Sequence, residues 1–331
     1  MSSSSSMPSL LTRQLAETHL SNNNFLESRS TIPRLLHPYT APIFEYGRTS
    51  GLTRFIVDGL TELAYRPFFF LKFGPKSLSR THVETLSYGP DPRQKILLLT
   101  PQNYHSSHPP TSSNKKTLLI FTHGGAWGSG SPSFYLPLLS TYASLGYTVA
   151  LLGYRTYPTS TVSGQVSDVH SAYLHLTHLF PDLPCILSGH SSGSHITLLT
   201  ILRYDLKVTF LGLSGVYDML SHFRYESKRG LEILSGLQPA GGYINDNLEL
   251  NSMKGSLTGV NHSSFIFVHG LEDFTVPFTQ SYNASYCLKN WGCDSRVVYL
   301  DKCDHMGAVI ELMKGCGERW LKNDIELTSK L

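Results

Sequence analysis

The stretch "CILSGHSSGSHITLL", Cys185 to Leu199, sets an apolar run against an amphipathic one with a Gly/Ser turn between them. One register gives Gly-x-Ser-x-Gly: Gly189, His190, Ser191, Ser192, Gly193. A strand has to end and a helix begin inside that turn. Side chains at the flanking positions would collide, and glycines remove them. Ser191 is then presented at the C-terminal edge of a sheet, over the positive end of the following helix. Such a unit constrains the rest of the chain, because it requires a parallel sheet whose other strands end at the same edge.

The chain supplies that sheet. "THVETLSY" and "QKILLLTP" read as two antiparallel strands joined through Gly89-Pro90-Asp91-Pro92. "KTLLIFTHGG", "YTVALLGYR", "PCILSG", "VTFLGLSG", "SFIFVHG" and "SRVVYLD" follow as strands. Helical patterns separate them over "YLPLLSTYASLG", "TVSGQVSDVHSAYLHLTHLF", "SSGSHITLLTILRYD" and "FTQSYNASYCLKNWG". Continuous apolar strands alternating with helices predict an α/β fold, a mostly parallel central sheet with helices on both faces. Residues 217–259 fit no sheet element and read as a small insertion above the sheet. The expected organisation is a poorly ordered Ser/Asn-rich segment over 1–46, an amphipathic docking helix within 47–80, and one domain over 81–331.

That helix lies in "LTRFIVDGLTELAYRPFFFLKF". Arg54, Asp58, Glu62 and Arg66 recur every four residues and share one face, and Pro67 ends it. Docking on the domain is the expectation; contact with a membrane surface through "FFFLKF" is the sharper alternative. "MSSSSSMPSLLTRQL" lacks the apolar core of a signal peptide, and no stretch of the sequence is long and apolar enough to span a bilayer. A cytoplasmic location is expected, with peripheral contact to an internal membrane left open. The net charge of +3 without a basic or acidic run gives no basis for a nucleic-acid partner. Five cysteines lack paired CxxC spacing and read as reduced, small apolar residues rather than a disulfide framework or zinc site. Neither a metal nor a cofactor is expected, and oligomeric state is unreadable.

A serine hydroxyl is a poor nucleophile at neutral pH and needs a base oriented by a carboxylate, here in the chain order Ser, Asp or Glu, His. "FIFVHGLEDFTVP" ends a strand with Glu272 and Asp273, and "VVYLDKCDHMG" ends the last strand with His305. Asp273 is preferred because the next element starts right after it, although a helix N-cap would explain it too. His305 alone follows the final strand, unlike His222, His262 and His269. His190 and His195 are expected to pack. Oxyanion donors, each worth about 3–4 kcal/mol to the transition state, are the Ser192 amide and the loop "FTHGGAWGSGSPSF". Within that loop Gly124, Gly125 and Ala126 can turn amides toward a substrate. The loop lacks the Lys-Ser/Thr of a phosphate cradle, so a nucleotide site is not expected. Trp127, Phe223 and Tyr225 are candidate substrate contacts, with Leu231 beside them.

"THGGAWGSG", "GYRTYP", "GHSSGSH", "LSGVYDMLSHFRYESKRGLE", "VHGLEDFTVP" and "DKCDH" resemble the esterase/lipase branch of the α/β-hydrolases. Within it the chain is most similar to isoprenylcysteine methylesterase-like proteins, with kynurenine formamidases as near relatives. The resemblance runs from about Leu118 to Met313. It implies Ser191, Asp273 and His305 as a triad, with Gly124, Gly125, Ala126 and Ser192 around the oxyanion. It implies a structural role for Arg155, although Gly153 replaces the Asp of the family's Asp-Tyr-Arg and Ser192 stands where Ala is common. The expected activity is cleavage of a small-molecule carboxylic ester, with a prenylcysteine methyl ester as one candidate. Hydrolysis of an aryl formamide such as N-formylkynurenine is the alternative within catalysis, and a non-catalytic hydrolase-fold binding protein the alternative outside it.

Overall fold

A computed structural model describes residues 81–101, 117–232, 235–242, 251–253 and 263–321. The expected segment 1–46, the helix within 47–80 and much of the insertion lie outside them. All eight strands read from the sequence are present: β1 (Thr81–Ser87), β2 (Lys95–Pro101), β3 (Leu118–Thr122), β4 (Thr148–Leu152), β5 (Cys185–His190), β6 (Thr209–Leu213), β7 (Ser264–Gly270) and β8 (Asp294–Leu300). They form one sheet in the order β1-β2-β4-β3-β5-β6-β7-β8. β2 pairs antiparallel with β1 and β4, and every pairing from β4 through β8 is parallel. The result is the α/β-hydrolase fold expected from the sequence.

Strand side chains alternate between faces, and both faces here are apolar. Leu118, Ile120, Leu187, Phe210 and Phe265 pack on one side with Val166, Val169, Ile196, Leu199 and Leu288. The helices there are α2 (Val162–Leu179), α3 (Ser192–Tyr204) and α6 (Thr279–Asn290). Leu119, Phe121, Leu211 and Val268 face the other way, onto Leu138, Val309, Leu312 and Trp320. Those come from α1 (Leu136–Ser144), α7 (Gly307–Met313) and α8 (Gly317–Leu321). Every residue of α3 from Ser192 to Leu202 is buried. Two of its polar side chains bond to neighbouring elements: Ser194 Oγ with Tyr217 Oη at 2.8 Å, and Thr197 Oγ1 donating to Thr122 Oγ1 at 2.8 Å.

Within the insertion the described residues hold α4 (Met219–Arg229) and the short α5 (Leu237–Gly241). No helix among the described residues is long and apolar enough to cross a membrane.

Candidate active site

The turn after β5 behaves as its glycines require. A Cβ on Gly193 would collide with the carbonyl oxygens of Thr122 and His123, and one on Gly189 would stand 2.7 Å from the Gly193 backbone. β5, α3 and the end of β3 therefore approach closer than any larger residue permits. Ser191 sits between them at φ 54° and ψ −124°, a conformation costing about 1–3 kcal/mol for a residue with a Cβ. Its amide donates to the Leu213 carbonyl at 2.9 Å, and its own carbonyl accepts from His195 at 3.2 Å. Ser192 opens α3, so its amide has no intrahelical acceptor.

β7 and β8 deliver the acid and the imidazole. Asp273 is buried and divides its carboxylate. Oδ1 accepts the amides of Thr275 (3.0 Å) and Val276 (2.8 Å), holding the turn. Oδ2 accepts His305 Nδ1 at 2.8 Å, and His269 Nε2, bonded to the Val276 carbonyl at 2.9 Å, lies 3.1 Å from the same oxygen. Burial alone would raise the Asp273 pKa; the neighbouring His305 and the imidazole hydrogen bonds outweigh it and hold the carboxyl well below the usual carboxylate range. Glu272 is exposed, so of the two adjacent carboxylates only Asp273 faces inward. With Nδ1 donating, the lone pair of neutral His305 lies on Nε2. His190 ties this imidazole to the elbow: its ring centroid is 4.8 Å from that of His305, and its Nε2 lies 3.1 Å from the His305 carbonyl oxygen.

The loop after β3 departs from expectation at two residues. Gly124 abuts the nucleophile, since a Cβ there would stand 3.1 Å from Ser191 Cβ. Its amide, however, donates to Tyr135 Oη at 3.3 Å. Gly124 thus gives close approach rather than an open donor. Gly125 (φ 138°), Ala126 (φ 48°) and Trp127 (φ 60°) follow in consecutive positive-φ conformations. Among the described residues no hydrogen bond engages the amides of Gly125 and Ala126. Trp127, expected at the substrate, is instead 2% exposed and donates Nε1–H to His195 Nδ1 at 3.0 Å. Its carbonyl accepts from Gln165 Nε2 and from the Tyr157 amide, which fixes the end of the loop from below.

The insertion contacts resolve differently. Phe223 is half-buried against the core on the α2/α3 face. Tyr225 gives its hydroxyl to the Phe274 carbonyl at 2.7 Å, and Arg229 stacks 5.0 Å over its ring while bonding the same carbonyl. Tyr225 therefore braces the Asp273 turn rather than standing open to a ligand. Leu231 is buried. Arg155 is structural, as its resemblance implied, and its partner is Asp168 of α2, with Nη2 to Oδ1 at 2.6 Å and Nε to Oδ2 at 2.9 Å. Gly153 stands where a Cβ would press on the Arg93 carbonyl at 2.6 Å, so this loop has no room for a side chain there. In the sequence His269 stood only as a rival to His305 for the base, and Tyr135 in no candidate site; their buried neighbours in space identify them.

Comparison with known proteins gives likenesses of sequence and of fold. A family model described as BD-FAE matches residues 107–227. The chain is 24% identical over 282 residues to a probable isoprenylcysteine alpha-carbonyl methylesterase of Arabidopsis thaliana, covering 77% of this chain and 57% of that protein. It thus spans less than two thirds of that relative's length. It is also 24% identical over 197 residues to the kynurenine formamidase of Drosophila melanogaster, covering 54% of this chain and 65% of that one. Among solved structures, esterase B from Lactobacillus rhamnosis superposes with a TM-score of 0.56 at 19% identity. That match covers 81% of this chain and 98% of the esterase, a likeness of fold.

Proposed function

Because the chain is an α/β-hydrolase-fold protein of the esterase type, we propose that it is a serine hydrolase cleaving a carboxylic ester through an acyl-enzyme. Ser191 Oγ attacks the carbonyl carbon, His305 Nε2 takes its proton and returns it to the leaving alcohol, and water then repeats the sequence on the acyl-enzyme. Asp273 keeps His305 in the Nδ1–H form and stabilises the imidazolium that develops. The observation that carries the reading is the Asp273–His305 pair at 2.8 Å, attached through His190 to the strained elbow at Ser191. The amides of Gly125, Ala126 and Ser192 are the donors for the oxyanion.

A methyl ester on a hydrophobic body is the substrate class that the plant relatives favour. Similarity to the Drosophila formamidase supports a second reading, hydrolysis of an aryl formamide by the same triad. Turnover of p-nitrophenyl esters, prenylcysteine methyl esters and N-formylkynurenine, measured side by side, separates the two.

The chemistry itself is tested with a fluorophosphonate, which traps an activated serine as a stable adduct. Mass spectrometry is expected to locate the adduct on Ser191, and Ser191→Ala to lower kcat by about four to six orders of magnitude while leaving the fold intact. An adduct on Ser192, or none at all on folded protein, removes the assignment.

A further inference from the structure

Behind Ser191 a chain of buried groups joins the oxyanion side of the site to the base side. The Gly124 amide donates to Tyr135 Oη at 3.3 Å, Tyr135 Oη lies 3.0 Å from His190 Nδ1, and His190 Nε2 lies 3.1 Å from the His305 carbonyl. The protons in this chain have one consistent arrangement. A carbonyl oxygen only accepts, so Nε2 of His190 carries the hydrogen. Neutral imidazole then has its lone pair on Nδ1, and Tyr135 donates to it while accepting from Gly124. In the opposite tautomer the Nε2 lone pair would face the lone pairs of the His305 carbonyl.

The topology explains why such a tie is needed. His305 follows β8, and β6 and β7 lie between β8 and the nucleophile strand β5. Asp273 holds the His305 ring by Nδ1, but that contact leaves the backbone of the loop to be anchored elsewhere. His190, the residue before Ser191, supplies the second anchor from β5 itself. Tyr135 comes from the helical turn Pro132–Tyr135 and reaches the loop after β3, on the other flank of β5.

We propose that His190 and Tyr135 are positioning residues, a neutral hydrogen-bond relay that fixes the backbone of His305 and the oxyanion loop on a common reference beside Ser191. The assignment rests on the serine-hydrolase reading above. The first x of Gly-x-Ser-x-Gly is then an active part of the site, because an error of about 1 Å between base and nucleophile costs on the order of a hundredfold in rate. Burial pulls the His190 pKa down to about 3, and the charge of His305 acts in the same direction. The relay therefore stays neutral while its neighbour gains and loses a proton.

Two substitutions at His190 separate hydrogen bonding from packing. His190→Gln keeps an N–H able to reach the His305 carbonyl, whereas His190→Leu keeps apolar volume alone. His190→Leu is expected to lower kcat about thirtyfold with KM within about threefold, and His190→Gln to recover about tenfold of that loss. A packing role predicts the reverse order, because Gln buries an amide where Leu buries none; Leu equal to or better than Gln overturns the proposal. Tyr135→Phe deletes a single oxygen and serves where His190→Leu fails to fold; it is expected to lower kcat about fivefold, and wild-type kcat in a folded variant counts against the relay. Nitrogen-15 NMR of histidine-labelled protein reads the tautomer without any turnover. An Nε2–H signal for His190 that persists from pH 8 to 5 is the expected result, and an Nδ1–H form overturns the proposal. Absence of hydrolysis or of a fluorophosphonate adduct in the wild type marks failure of the hydrolase reading instead, since the NMR result does not depend on it.

Discussion

Asp273 shows how much one residue carries here, since its two oxygens have different tasks. Oδ1 closes a turn on the Thr275 and Val276 amides, and Oδ2 receives the His305 N–H with the His269 imidazole beside it. Asp273→Asn retains an acceptor for the turn but presents either an amide N–H to His305 or a weaker, neutral acceptor. The expected loss in kcat is about 10³–10⁴-fold with a small change in melting temperature, because the wrong His305 tautomer becomes favoured. Kinetics on a p-nitrophenyl ester with a parallel thermal melt check this, and a loss under tenfold would falsify the orienting role. The pairing of Asp273 with His305 was readable from the sequence because each follows a strand, although an N-cap fitted the same position of Asp273. His190 was not readable as a positioning residue. Its partners, Tyr135 and the His305 carbonyl, are 55 and 115 residues away in the chain, and no local pattern encodes such a contact.

At the scale of elements, strands and sheet-covering helices were legible because their periodicity is the imprint of the core they build. α4 was not, because only a narrow stripe of it is buried: Met219, His222 and Glu226. Its ends nevertheless carry ordinary signals. Asp218 caps it by accepting the Ser221 amide, and Gly230 closes it at φ 68°. The elbow is the element whose geometry is least forgiving. Gly193→Ala drives a methyl into two backbone carbonyls of the β3 terminus that cannot turn away. The expected cost is about 2–4 kcal/mol of stability, with kcat falling further than stability as Ser191 shifts against His305. Urea denaturation together with the rate of fluorophosphonate labelling measures both effects; unchanged values of the two would show that α3 can slide away from β3.

Across the whole molecule the site rests on a set of imidazoles kept neutral by burial. His123 has its pKa lowered to about 4, and His190 and His195 to about 3, in each case chiefly by desolvation. Each has a carbonyl that fixes its proton: Gly124 for His123 Nδ1, His305 for His190 Nε2 and Asn251 for His195 Nε2. All three belong to the ends of β3 and β5 and the start of α3, so the region that holds Ser191 also resists protonation. Their folded pKa values lie below the unfolded value of about 6.5. Below that pH the unfolded chain takes up protons that the folded chain refuses. Their contribution is therefore complete above about pH 6.5 and is lost as pH falls toward 4–3, at about 1.4 kcal/mol per pH unit for each group. Asp273, also depressed, acts in the same sense at still lower pH, near and below the unfolded carboxylate value of about 3.9. Urea midpoints are accordingly expected to fall steeply from pH 7 to pH 5. His195→Gln, which keeps a donor for the Asn251 carbonyl while removing one titrating ring, is expected to reduce that slope by about one third. A midpoint that stays level from pH 7 to 5, or a slope that His195→Gln leaves as steep, would mean that these rings accept protons in the folded state.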